Sequence, residues 1–388
     1  MLRAGRRRPP AQKGKHMSAS KDLGNRRPGT RGLARGLRRV AAGAVCAATV
    51  TFMFAGAAAA RTATAAPAFT RLHLVHGWVN YGNGTAKAAV AHVNGIVYLK
   101  GGIKTSGNNP VPFTLPAGDR PAHFVYVPVD ECNGDNGRLD INPNGVVSVE
   151  AQGAVWSNAQ CLTSLDGVSF ARSANSFTPL KLKNGWANYG SGTPSPAARK
   201  ISGIVHFQGA MRTGGTNTVA FILPKGDRPA LRIFVPVDEC GATNGDLFIQ
   251  PDGSVTVEAE GGIWANAQCF TSLDGVSFAP SASSFTPLTL QNGWTSTGLA
   301  SARPAVRVIS GIVQLEGDMY FNGINPVAFT LPARFRPAHN VAVKVALCGR
   351  DSGVVIIGPS GAGTVQAEGG IWSNAQCQTS LDGVWFAR

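Results

Sequence analysis

Six cysteines stand at constant spacing: Cys132 and Cys161, Cys240 and Cys269, Cys348 and Cys377 are each 29 residues apart. Thiols so placed can bridge, hold a metal or cycle electrons. Metal sites cluster Cys and His closely and redox sites use Cys-x-x-Cys, and neither pattern occurs. The even count and fixed interval predict three disulfides, Cys132–Cys161, Cys240–Cys269 and Cys348–Cys377, and with them an oxidising compartment. Carboxylates come next. Asp130-Glu131 and Asp238-Glu239 are adjacent acids, but strand neighbours point to opposite faces, and the third equivalent is Ala346-Leu347. That is not the pair across a cleft that glycoside hydrolysis needs. Asp166, Asp274 and Asp382 each precede a Gly, which predicts a turn role. No His position is shared by the three segments, and catalytic signatures for zinc hydrolysis, serine nucleophiles or phosphate loops are missing. Asp130, Glu131, Asp135, Asn136 and Asp140 concentrate oxygen ligands as calcium requires. Later segments keep few of them, so the expectation is a solvated acidic loop, with no metal and no cofactor.

Aromatic residues are the better binding candidates. Sugars lay apolar ring faces on aromatic side chains while amides and carboxylates take the hydroxyls. Trp78, Asn80 and Tyr81 form such a cluster, Trp186, Asn188 and Tyr189 repeat it, and Trp294 is followed by Ser296 and Thr297. These residues, with Asp130, Glu131, Asp238 and Glu239, are the candidate ligand-binding set. The competing reading is that each Gly-Trp packs on a core edge. Trp156, Trp264 and Trp372, five residues before a Cys, are expected to pack on the disulfides. The amides nearby, Asn158 and Gln160 with their counterparts, could meet sugars or satisfy a loop backbone.

The elements that must position these residues repeat every 108 residues: Trp78, Trp186 and Trp294 do so, as do both cysteine sets and Ser-Leu-Asp-Gly-Val at Ser164, Ser272 and Ser380. That interval is one ordinary domain rather than a solenoid repeat. The chain therefore divides into 73–180, 181–288 and 289–388, joined by short linkers such as 173–179 and 281–287. In the first copy, segments 89–93 and 96–103 flank Asn94-Gly95, and segments 138–142 and 146–150 flank Pro143-Asn144-Gly145, both hairpin signals. Leu139 and Ile141 are apolar in every copy while the residue between them varies, so that residue faces outward in copy one. Seven or eight short strands per copy and no sustained helical period predict an all-β chain of three tandem antiparallel β-sandwich, jelly-roll-like domains.

Residues 1–65 read as an export leader. A long basic stretch ends at Arg38-Arg39, an uncharged apolar run spans 40–60, and Ala63-Thr64-Ala65 fits a cleavage site. Met17 is an alternative start, and Cys46 lies within the apolar run. An uncleaved anchor is the competing reading of the same run. The net charge of +15 from 36 Lys and Arg against 21 Asp and Glu sits almost wholly here. The first 66 residues hold 14 basic groups and one acid, leaving 22 basic against 20 acidic groups for the rest. A near-neutral folded part removes the electrostatic support for nucleic-acid binding.

Gly95-Ile96-Val97-Tyr98-Leu99-Lys100-Gly101, then Leu115-Pro116-Ala117-Gly118-Asp119-Arg120-Pro121, then Leu165-Asp166-Gly167 together resemble the small β-sandwich receptor-binding tip domains of phage tail fibres and baseplates. Copy three departs from the turn motif with Arg334-Phe335-Arg336. The leader, the cysteines and the tandem arrangement also differ from a phage fibre. The resemblance implies a surface-glycan or cell-envelope binding scaffold, and, since such tips work as trimers, three linked copies able to close a pseudo-threefold assembly within one chain. The sequence expectation is therefore a secreted, non-enzymatic, multivalent binder of a glycan or cell-wall polymer, without stable membrane insertion after cleavage. A structural or matrix protein is the alternative, and a glycan-active hydrolase the third reading.

Overall fold

Short strands follow from the sequence's alternation of apolar and polar residues between turns. In a computed structural model, residues 66–388 apart from Leu299 are described. The leader, its cleavage site and Cys46 lie outside the described residues. Asn94 and Gly95 both take positive φ (53° and 85°) and close the hairpin between Ala89–Val93 and Ile96–Lys100. Ser202-Gly203 and Ser310-Gly311 do the same in the later copies. Such turns match the natural twist of paired strands.

The chain is all-β, with antiparallel sheets repeated in each copy. In the first, one sheet orders Thr70–Arg71, Ala89–Val93, Ile96–Lys100 and Ser169–Ala171. A second joins Val79–Asn80, Gly102–Lys104 and Thr163–Ser164. A third orders Phe113–Thr114, Val146–Ala151, Asn136–Ile141 and Val125–Asp130. In copy three the second and third sheets run together, because Ala346 and Leu347 pair with Ser380 and Thr379. Each copy buries its own apolar cluster, including Leu139, Leu247 and Val355 at equivalent positions. The three disulfides join the cysteines as the spacing predicted, with Cα atoms 5.8, 5.9 and 5.7 Å apart. A six-residue helix, Trp156–Cys161 and its equivalents Trp264–Cys269 and Trp372–Cys377, was not read from the sequence, being too short to show a period.

The three copies touch one another in cyclic order, and the Ser-Leu-Asp-Gly-Val motif makes the contact. Ser164 donates to the Ala342 carbonyl of copy three at 2.6 Å, Ser272 to the Tyr126 carbonyl of copy one at 2.6 Å, and Ser380 to the Phe234 carbonyl of copy two at 2.9 Å. One oxygen of Asp166, Asp274 and Asp382 accepts the backbone N–H of its own Gly101, Gly209 or Gly317 at 2.8–3.0 Å. The other accepts the N–H of the same neighbouring residue, Ala342, Tyr126 or Phe234, at 3.3–3.4 Å. The turn role expected for these acids is thus joined to a bond between copies. The glycine that follows is fixed on two counts. At Gly275, φ is +85° and a Cβ would lie 2.7 Å from Val127 of copy one; Gly167 and Gly383 meet Val343 and Val235 in the same way. Only a residue without a side chain fits there.

Candidate functional site

The structure corrects the aromatic reading. Trp78, Trp186 and Trp294 are buried, and each indole N–H donates to a loop carbonyl, Asn109, Asn217 or Asn325, at 2.8–2.9 Å. Their edges meet Trp156, Trp264 and Trp372 at 5.9–6.0 Å between ring centres. Buried on the core, they offer no open face on which a sugar could stack. Trp156, Trp264 and Trp372 accordingly find their ring partner in another indole. Asn80 is exposed, and its Oδ1 accepts the Ala88 N–H at 2.8 Å. Tyr81 is half-exposed, with Lys104 over its ring at 5.7 Å. Asn188 donates to Ser195, and half-exposed Tyr189 packs edge-on against Phe270. Gln160, Gln268 and Gln376 donate to the carbonyls of Gly107, Gly215 and Gly323, so they satisfy loop backbone.

The acids are corrected too. Asp130, Glu131, Asp238 and Glu239 are all at most 3% exposed, so no external ligand reaches them and the solvated acidic loop does not form. Glu131 lies across the backbone of Gly137 and Glu239 across that of Gly245, where any Cβ would collide with their carboxyls. Leu347 occupies the same place over Gly353. Burial, followed by nearby acids including Asp130 and Asp135, pushes the Glu131 carboxyl up to about 9, with Lys344 opposing. Glu239 is pushed up to about 9 by burial, then by Asp238, Asp246 and Glu260. Both are therefore neutral at pH 7, which is why a leucine can stand in their position. Among the described residues no group of three or more His, Cys, Asp or Glu is arranged to hold a metal.

One surface is presented by all three copies. The strand Val146–Ala151 runs into a tight turn at Gln152–Ala154, then Val155, then the short helix from Trp156. Copies two and three repeat it through Glu260, Gly261, Gly262, Ile263 and through Glu368, Gly369, Gly370, Ile371. The turns meet: Gln152 Nε2 donates to Glu260 at 2.9 Å and to Glu368 at 3.2 Å. Three residues further along, Val155, Ile263 and Ile371 are 48, 58 and 56% exposed. Each stands beside a half-exposed indole and the half-exposed amides Asn158, Asn266 or Asn374. Sequence reasoning missed these aliphatics. The available signal was a branched apolar residue kept between Gly-rich turn and Trp in every copy, with no strand partner to bury it.

Burial, together with hydrogen bonding and proximity to Glu260, pushes Glu368 up to about 8. The Glu368 carboxyl therefore keeps its proton to about that pH. The apex formed by these turns thus sets exposed aliphatics, half-exposed indoles and half-exposed amides around the contact of Gln152 with Glu260 and Glu368. No protein-family description, curated protein or solved structure matches this chain.

Proposed function

We propose that this chain is a secreted, non-enzymatic binding protein that grips a carbohydrate or another cell-envelope polymer through three copies of one apical loop. The observation that carries this reading is the meeting of Gln152, Glu260 and Glu368, each three residues before an exposed aliphatic, Val155, Ile263 or Ile371. An aliphatic side chain, an indole edge and an amide supply the mix of apolar and polar contacts that small sugar sites use. Rigid linkage of three weak sites raises effective concentration, which rewards a repeating ligand. Three disulfides suit an oxidising extracellular compartment. Among the described residues no helix is long and apolar enough to cross a membrane. The resemblance to phage tip domains belongs to the same proposal.

The test is retention of residues 66–388 on insoluble cell-wall preparations and defined polysaccharides. The triple variant Val155→Ser, Ile263→Ser, Ile371→Ser is expected to lose about tenfold or more in retention, because multivalent contacts fail together, while its thermal unfolding stays close to the parent. Retention unaffected by the triple variant contradicts the apical reading. No retention on any preparation favours a structural role through domain association, and turnover of a polysaccharide would make the protein an enzyme.

A further inference from the structure

Between copies two and three runs a groove of about 740 Å³, within the range of small-ligand sites. Its floor and walls come from the hairpin tip at Ser202, the linker hydroxyls of Ser281, Ser283 and Thr286, and three arginines, Arg307, Arg334 and Arg388. No acidic side chain lines it; Lys200 at its edge has Asp227 at 3.8 Å, and Arg307 feels the buried Glu316, which lies outside the lining.

Arg307 is the anchor. It is only 7% exposed; its Nε donates to Gln314 at 3.0 Å and its Nη1 to Ser284 at 3.4 Å, and Phe285 lies under the guanidinium at 4.3 Å. Its Nη2 is buried with no hydrogen-bond partner. A buried guanidinium donor left unfilled is costly, and such donors normally find an acceptor. Arg334 reaches the same groove from the other side, held by a 3.0 Å bond to Thr286 and by Phe335 beneath it. The repeat makes this charge specific to copy three. Arg334 and Phe335 replace Gly118-Asp119 and Gly226-Asp227, so one exchange adds a cation and removes an acid at this place.

We infer that this groove binds an anionic group, the carboxylate or phosphate of an acidic oligosaccharide, between Arg307 and Arg334 with the linker hydroxyls taking the sugar. Guanidinium forks fit carboxylate and phosphate alike. The anion site stands independently of the apex; only the choice of a glycan as carrier rests on the reading above.

The experiment is calorimetric titration of residues 66–388 with trigalacturonate, with a glycerol-phosphate oligomer, with inorganic phosphate and with a neutral trisaccharide. Binding of an acidic oligomer that weakens with salt and falls about tenfold or more in Arg334→Gly, the residue copies one and two already carry, is expected. Arg307→Gln should lower affinity similarly, and the apical triple variant should leave it unchanged. Preference between the two acidic oligomers identifies the anion. Binding of phosphate alone keeps the anion site and removes the glycan. Equal binding of the neutral sugar, no binding of any anion, or affinity unchanged in Arg334→Gly overturns the inference.

Discussion

The seam between copies one and two and the seams that involve copy three are built on one plan with different chemistry. At the first seam Arg138 reaches Asp238 of copy two at 3.4 Å while also pairing Asp140 and Glu150 within copy one. Tyr126 and Phe270 lie 5.2 and 5.9 Å from its guanidinium. At the second seam the equivalent positions hold Asp246 and Ala346, and at the third Val354 and Asp130. Asp246 and Asp130 are buried, each with an oxygen that finds no partner, and burial holds both carboxyls well above the usual range. Copy three brings Lys344 where copies one and two have Pro128 and Pro236. Burial lowers that ammonium, and Glu368, Glu260, Asp130 and Asp246 oppose the shift. The Ser-Asp-Gly contact is the same at all three seams. Backbone acceptance fixes the geometry, and side-chain charge is free to vary around it.

Arg138→Ala should produce the largest loss, since it strands Asp238 in the interior; breaking a buried pair costs about 3–5 kcal/mol. Chemical denaturation at pH 7 checks it, and Asp238→Asn in the same background should recover part of the loss. If Arg138→Ala costs nothing, the first seam is no stronger than the others.

Glu131→Leu and Glu239→Leu should move stability the other way. Each carboxyl binds its proton more tightly in the fold, at about 9, than the 4.5 of the free group. Its contribution is therefore fully favourable below pH 4.5 and is lost as pH rises towards 9. At pH 7 the cost is of the order of 3 kcal/mol per residue. Leucine, already present at position 347, should return much of it at pH 7 and nothing at pH 4, as read from urea midpoints at both pH values. His206 works in the opposite sense: burial lowers it to about 4, so its contribution is lost as pH falls from 6.5 towards that value. The smallest effect expected is Gly275→Ala, about 1–3 kcal/mol from overpacking against Val127 at a left-handed position. Paired with Val127→Ala it should lose less than the two changes summed.

Strand positions, hairpins and cysteine pairing were legible because alternation, Asn-Gly turns and a fixed interval are local signals. Leu-Pro-x-Gly-x-Arg-Pro was visible as a motif and gains its reason here: Arg120 Nε donates to the Leu115 carbonyl at 3.0 Å and lies over hairpin residue Gly145. The site was less legible. Trp78 reads alike as platform or core, and only the covering loop carbonyl at Asn109 decides. Adjacent acids at 130–131 look solvated until the neighbouring copies bury them. Val155, Ile263 and Ile371 were overlooked because exposure of an aliphatic is a property of the assembled turn, with nothing in its own residue type to announce it.

The most direct test is native-state hydrogen exchange with peptide-level mass spectrometry on residues 66–388, comparing the parent with Asp382→Ala. Interlocked copies should exchange in one cooperative unit, and Asp382→Ala should speed exchange in all three. Three separate protection levels, with loss confined to copy three and the strand around Phe234, would contradict the single interlocked body.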